Sequence, residues 1–366
     1  MGTRPEAIKM VPVYLELKND PRFEVTLLST GQHREMLQQV FDIFGITPDI
    51  DLEVMKPNQT LATLTSTLIE KSSAVYEKIQ PDAVLVHGDT TTCFSAGIAA
   101  FYQQIPIGHV EAGLRTYNFQ APWPEEMNRR LIDPISKWCF APTDRAAANL
   151  RQEHTSEENI YTVGNTVVDA LRLATDMERQ HRPEIDGLNH DAIRGKRVIL
   201  VTGHRRESFG KPFENFCNAL LDLVEKYPDV ALVYPVHLNP KVQEPVHRII
   251  GNQPAIHLIE PVGYLQMAYL MDSCHFIITD SGGIQEEAPS FGKPVLVTRD
   301  TTERPEAVDS GAAKLVGTDP VSIITAATDL LNSNAAYQAM VCKSNPYGDG
   351  YTSKKIADIL GKSIAS

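Results

Sequence analysis

Along this 366-residue chain, one apolar run after another ends in titratable residues or glycine rather than in a plain turn. AVLVHGDTTT delivers His87, Gly88 and Asp89, and PIGHVEAGLRT delivers His109, Glu111 and Arg115. RVILVTGHRRES supplies His204, Arg205, Arg206 and Glu207, VALVYPVHLNP supplies His237, and HFIITDSGGIQEE leads from Asp280 through Ser281, Gly282 and Gly283 to Glu286 and Glu287. PWPEEMNRR places Glu125 and Glu126 behind Pro124. Singly, each has a structural explanation: Asp89 as a helix cap, Glu111 with Arg115 as an ion pair, His87 and His109 as satisfied core histidines, His237 packed by Pro235 and Pro240, and a glutamate facing a helix dipole. Jointly they put three carboxylates, two histidines and several arginines on one rim, more than caps require. Such a set can transfer protons.

Ser281-Gly282-Gly283 is the phosphate signal, because small residues let backbone approach an anion and a following helix offers free N–H groups. Glu287, one turn on, suits ribose hydroxyls, while Arg4, Lys9, His204, Arg205 and Arg304 supply cations for a diphosphate. The stretch lacks GK[ST] and is neither a Walker A loop nor a dinucleotide GxGxxG. No HExxH, DxD or paired His/Cys spacing indicates a metal, and no GxSxG elbow indicates a serine nucleophile; Cys274-His275 precedes a buried strand. What remains is acid–base chemistry by carboxylates and histidine on a nucleotide-linked substrate.

The elements that must position these residues read as strands alternating with helices. Apolar β-branched runs at FEVTLLST, AVLVHG, PIGHVEA, RVILVTGH, VALVYPVH, AIHLIEP, HFIITDSGG and PVLVT are separated by 3.6-residue patterns such as HREMLQQVFDIFG and PFENFCNALLDLVEKY. Continuous apolar strands imply helices on both faces, hence α/β with parallel sheets. The length suits two domains: residues 1–180, a polar linker at 181–196, a nucleotide-binding domain at 197–345, and a helix in 346–366 packing back on the first domain. Ligands are expected in a cleft at the carboxyl ends of the strands. The opening MGTRPEAIKM reads as a strand-to-helix turn, with Thr3 as cap and Pro5 in the first helical turn. No strand precedes it, and a first strand missing through a mis-assigned start or a truncation is the expectation.

A net charge of −12 argues against a nucleic-acid partner. Five scattered cysteines (Cys93, Cys139, Cys217, Cys274, Cys342) without a CxxC indicate neither a disulfide framework nor a thiolate zinc site and fit a reducing compartment. No apolar run approaches the roughly 18 residues of a membrane span, and no signal peptide is recognisable. A soluble cytoplasmic protein with no membrane partner is expected.

GTRPEAIKM, HGDTTT, GHVEAGLRT, PWPEEMNRR, GNTVVDAL, TGHRRES, YPVHLNP, DSGGIQEEAPS and GKPVLVTRDTTERPEAV together resemble the bacterial non-hydrolysing UDP-N-acetylglucosamine 2-epimerases over essentially the whole chain. The resemblance implies two doubly wound Rossmann-like domains facing a central cleft, the B-type glycosyltransferase architecture. It implies no metal and no cofactor, a homodimer, and reversible conversion of UDP-GlcNAc to UDP-ManNAc for surface-polysaccharide or teichoic-acid precursors. In that family UDP is eliminated to leave 2-acetamidoglucal and then added back. By motif, Asp89, Glu111 and Glu125 would carry proton transfer and His204 would steady the diphosphate. Arg4 and Lys9 would serve phosphate and the carboxylates, Ser281, Gly282 and Gly283 the phosphate oxygens, Glu287 the ribose, and Arg304 the nucleotide.

The resemblance also implies an allosteric UDP-GlcNAc site, matched at Gln32, Arg205 and His237, with Glu35 and Asn58 differing from some members. A family phenylalanine that contacts uracil is replaced by Met267. A glycosyltransferase of the same architecture, a hydrolysing epimerase, and a catalytically inactive UDP-GlcNAc sensor share most of these features. Turnover without an acceptor, retention of the glucal, and binding without turnover would separate them.

Overall fold

The computed structural model describes all residues except 57, 206–207, 342–343 and 365–366; Arg206, Glu207 and Cys342 of the sequence reading thus lie outside the described residues. The chain divides into two units, one formed by Met1–Leu173 with Tyr347–Ser366 and the other by Ala174–Pro346.

In the first unit, β1 (Leu28–Ser29) pairs with β2 (Ile50–Asp51), and β3 (Val84–His87), β4 (Ile107–Val110), β5 (Trp138–Ala141) and β6 (Ile160–Thr162) form a second sheet in that order, all parallel. The strands β4 and β5 are buried at every position, so helices must cover both faces. Met1 runs beside β1, its amino group donating to the Leu28 carbonyl at 2.8 Å and its own carbonyl accepting from Thr30 N–H at 2.9 Å.

Thr3 caps the helix Arg4–Asn19 in a reciprocal capping box with Glu6, as the sequence reading expected of Thr3, and Pro5 occupies its first turn where no N–H is missed. Met10, Val13 and Leu17 of this helix meet Trp138 and Phe140 of β5 and Ile356, Ala357 and Leu360 of the helix Thr352–Ile364. That last helix is anchored by Asp169, whose two carboxylate oxygens accept from the N–H groups of Thr352 (3.2 Å) and Ser353 (2.7 Å).

The second unit holds one parallel sheet ordered β12 (Ala313–Leu315), β11 (Val295–Val297), β10 (Phe276–Thr279), β7 (Arg197–Thr202), β8 (Val230–Pro235), β9 (Ile256–Ile259). Its strand order reverses between β7 and β10, the topological switch of a doubly wound sheet. Phe213, Phe216, Leu220 and Leu223 of the helix Lys211–Lys226 pack on Ile199, Val201, Leu232 and Tyr234.

The chain passes between units inside the helix Thr166–Gln180, between Leu173 and Ala174, rather than through 181–196. The polar stretch belongs to the second unit because Ile185 and Leu188 are buried there, two anchors too sparse to produce a readable period. Among the described residues no helix is long and apolar enough to cross a membrane.

Candidate functional site

Each unit gathers its own polar cluster at the carboxyl ends of its strands. In the first unit, the register sets His87 of β3 beside Val110 of β4, so the residues that follow, Gly88 and Glu111, emerge together. Glu111 has φ of +70°, a left-handed conformation that a non-glycine residue adopts at a cost of order 1 kcal/mol. Two N–H bonds to the Phe140 carbonyl, from Glu111 and Ala112, each 3.1 Å, hold it there. Strain of this kind concentrates at functional sites. The carboxylate, nearly buried, takes a short bond from the Lys9 ammonium, another from Asn165 Nδ2 at 2.9 Å, and faces His87 Nε2 at 3.6 Å.

Glu111 does not pair with Arg115, the structural alternative raised by the sequence. Arg115 is taken by Asp133 (2.6 Å) and Glu153 (2.7 Å). Nor does Asp89 cap a helix. Thr90 does so, its hydroxyl accepting from Cys93 N–H at 3.0 Å, which leaves the Asp89 carboxylate to pair closely with Arg129, while Asn128 Nδ2 donates to the Asp89 carbonyl at 2.7 Å. His109 is a satisfied core histidine as one sequence reading had it, but His87 is not: its Nε2 is buried without a hydrogen-bond partner, and burial depresses its pKa to about 4 against the opposing pull of Glu111.

Glu125 opens the helix Glu125–Ile132, partly exposed and without a side-chain hydrogen bond or ion pair among the described residues. Arg4, in the first turn of the opening helix, is likewise unpaired there. Lys9 and Arg4 therefore have different situations: one is committed to a carboxylate, the other is available to an anion. Gln32 accepts from the Thr92 hydroxyl at 2.9 Å.

In the second unit, Asp280 follows β10 and is almost fully buried. Its Oδ2 accepts from the backbone N–H groups of His204 (2.7 Å) and Arg205 (2.8 Å), which fixes the turn after β7. Oδ1 lies 3.5 Å from His204 Nδ1 and has no hydrogen-bond partner. The His204 ring stacks on His237 at 5.2 Å and 10°, and His237 Nδ1 accepts from Asn239 N–H at 3.1 Å. Arg205 reaches Glu303 at 3.1 Å.

Ser281 precedes the six-residue helix Gly282–Glu287 and makes no side-chain cap bond. A Cβ on Gly282 would lie 3.3 Å from Glu303 Oε1 and 3.8 Å from Arg205, whereas one on Gly283 would have only its own neighbour's Ser281 Oγ at 3.9 Å. The helix carries buried Glu286 and Glu287; Arg304 bonds closely to Glu286.

Sequence reasoning passed over Arg129, Asn165 and Asp133, which lie inside or just beyond the quoted motifs. Asn165 lies in the GNTVVDAL motif, but nothing local says that it points at Glu111. Among the described residues no group of three or more His, Cys, Asp or Glu side chains is arranged to hold a metal ion.

The sequence model described as UDP-N-acetylglucosamine 2-epimerase matches residues 15–361. A protein of Ralstonia solanacearum named a probable UDP-N-acetylglucosamine 2-epimerase is 52% identical over 361 residues, covering 97% of this chain and 96% of its own. The UDP-N-acetylglucosamine 2-epimerase of Escherichia coli K12 is 50% identical over 363 residues, covering 98% and 96%. The crystal structure of the Neisseria meningitidis enzyme bound to UDP-GlcNAc superposes with a TM-score of 0.87 at 48% identity over 99% of this chain and 98% of that one.

Proposed function

The chain belongs to the UDP-N-acetylglucosamine 2-epimerase family, and from that premise we propose that it interconverts UDP-GlcNAc and UDP-ManNAc by inverting C2 of the sugar. The observation that carries this reading is Glu111. A carboxylate held in a strained turn by two backbone bonds and aimed by Lys9 and Asn165 is a proton-transfer group fixed before substrate arrives; Asp89, paired with Arg129, and the partly exposed Glu125 complete the proposed set.

The hydrogen at C2 is too weakly acidic for simple removal and return, so the proton is taken in an elimination that expels UDP. A base of the Asp89, Glu111 and Glu125 set takes the C2 proton. The C–H electron pair forms the C1–C2 double bond, and the C1–O pair leaves with UDP. UDP then adds back to C1 of the glucal while an acid delivers a proton to the opposite face of C2. His204 and Arg304 stabilise charge on the departing diphosphate, Ser281, Gly282 and Gly283 present backbone to its oxygens, Glu287 takes the ribose, and Arg4 meets phosphate. Lys9 orients Glu111.

The wider assignments of this proposal are a cytoplasmic homodimer, regulation by a second molecule of UDP-GlcNAc through Gln32, Arg205 and His237, and supply of UDP-ManNAc to surface polysaccharide. Supporting the regulatory part, Arg205 Nε is buried without a partner and His237 is exposed beside His204.

The test is an NMR time course of UDP-GlcNAc with the protein in D₂O and no acceptor. UDP-ManNAc carrying deuterium at C2 is expected. Product without deuterium, or no product until an acceptor sugar is added, would overturn the reading.

A further inference from the structure

His109 is completely buried on β4, yet both its ring nitrogens face atoms that only accept. Nε2 lies 2.7 Å from the Gly88 carbonyl at the end of β3, and Nδ1 lies 2.5 Å from Asp133 Oδ1. A carbonyl has no proton to give, and an ionised carboxylate has none either. Neutral imidazole has one N–H; only imidazolium has two.

The surroundings compensate that charge. Asp133 Oδ2 accepts from Arg115 at 2.6 Å and from Gly113 N–H at 3.2 Å, and Arg115 in turn pairs with Glu153. Burial pushes the Asp133 carboxyl up, but His109 and Arg115 outweigh that and hold it below the usual carboxylate range. His109 and Arg115 thus face Asp133 directly, and Glu153 is shared between Arg115 and the more exposed Arg130 at 3.5 Å. Of the other groups packed here, Cys93 donates to the Gly88 carbonyl at 3.2 Å and Cys139 to the Asp133 carbonyl at 3.6 Å, both thiols pushed up by burial, and His87 is held neutral by the same cause, while the charges of Glu111 and Asp89 are met by Lys9 and Arg129.

We propose that His109 is a permanently charged positioning residue, an imidazolium clasp that ties the Gly88 carbonyl to Asp133 and so sets Asp89 and Glu111 relative to each other. The Gly88 carbonyl belongs to the peptide that leads into Asp89, and Gly88 has φ of +68°, so its orientation decides where that carboxylate points. On the other side, Asp133 anchors Gly113, two residues beyond Glu111. The catalytic consequence rests on the epimerase reading; the charge state does not.

The charge state is read first, by ¹⁵N NMR of the full chain labelled at histidine, the His109 signals being those absent from His109→Gln. Both ring nitrogens are expected in the protonated range from pH 6 to 9, and a His109 nitrogen in the unprotonated range would overturn the proposal. Positioning is read by two variants. His109→Gln can keep a donor near Gly88, whereas the shorter amide of His109→Asn serves Asp133 and leaves the carbonyl unheld. The Asn variant is expected to lose roughly 10- to 100-fold in kcat with KM little changed, the Gln variant much less. Equal kcat in the two, or a loss confined to KM, would remove the positioning role. If the wild type fails to epimerise, the functional reading falls while the NMR result still decides the clasp.

Discussion

Glu125 and Glu126 are consecutive in the first turn of one helix, and their carboxylates have opposite fates. Glu126 is completely buried and accepts from the N–H groups of Thr116 (3.0 Å) and Tyr117 (2.9 Å), whereas Glu125 is partly exposed and bonds to nothing among the described residues. Consecutive helical positions are about 100° apart, so one faces the wall and the other the open side. Glu125→Gln should therefore cut turnover by about 10²–10⁴-fold at unchanged melting temperature. Glu126→Gln should do the reverse first, costing about 1–3 kcal/mol of stability by weakening two buried acceptor bonds. Thermal melts and initial rates on both variants check this; equal stability losses would remove the distinction.

Asp89 and Glu111 are each paired with a cation, Arg129 and Lys9, and neither pair is needed to bind UDP in the proposed scheme. Asp89→Asn and Glu111→Gln should lower turnover by about 10²–10⁴-fold. Calorimetric titration with UDP should give unchanged affinity for both. Retained turnover in both variants would show that the proton is moved elsewhere.

His87 contributes to acid sensitivity. Its folded pKa is depressed to about 4 because burial disfavours the charged form, with the Glu111 charge only partly opposing this. Unfolded, the same ring takes a proton near pH 6.5. The contribution to stability is thus present above pH 6.5 and is lost as the pH falls toward 4, by up to about 3 kcal/mol. His87→Gln should flatten the difference between denaturant midpoints at pH 7 and pH 4.5 relative to wild type. An identical pH dependence in the variant would mean that His87 is not the group responsible.

Asp280 holds the His204–Arg205 turn through two backbone bonds on one oxygen. Asp280→Asn keeps the shape but removes the charge that strengthens both, a loss of about 1–3 kcal/mol. Under the proposed assignment of His204 to the diphosphate, UDP affinity should fall by tenfold or more. Unaltered affinity by calorimetry would separate that turn from nucleotide binding.

Gly113 has φ of +84°, and a Cβ there would stand 2.3 Å from the Ala146 carbonyl oxygen. Neither the backbone angle nor the contact can relax cheaply. Gly113→Ala should cost more than about 3 kcal/mol, measured by urea unfolding. Gly45→Ala, also at positive φ but facing open space, should cost much less.

The sequence revealed the strands that end in chemistry because those are apolar and β-branched, as in VILV and VALVY. Trp138–Ala141, Ile160–Thr162 and Ala313–Leu315 were passed over because WCFA, IYT and AKL form no β-branched apolar run; they pair with neighbours that no local pattern exposes. FEVTLLST yields only Leu28–Ser29 as strand for the same reason in reverse, since propensity is abundant there but pairing partners are few. Site residues were legible by type and not by partner. Which cation Glu111 takes depends on a helix a hundred residues earlier, and the separate fates of Asp89, capped away by Thr90, and His87, left unpartnered, are decided by packing.

The return of the chain from Tyr347 onward to the first unit has a consequence for synthesis. Ile356, Ala357 and Leu360 complete a core that Met10, Val13, Trp138 and Phe140 began. On the ribosome those early residues emerge long before their last partners, while everything the second unit needs, from Ala174 to Pro346, has already been translated. The later-made unit is therefore an insertion that can mature first, and the earlier-made one must wait, with part of its apolar face open, until the final helix arrives.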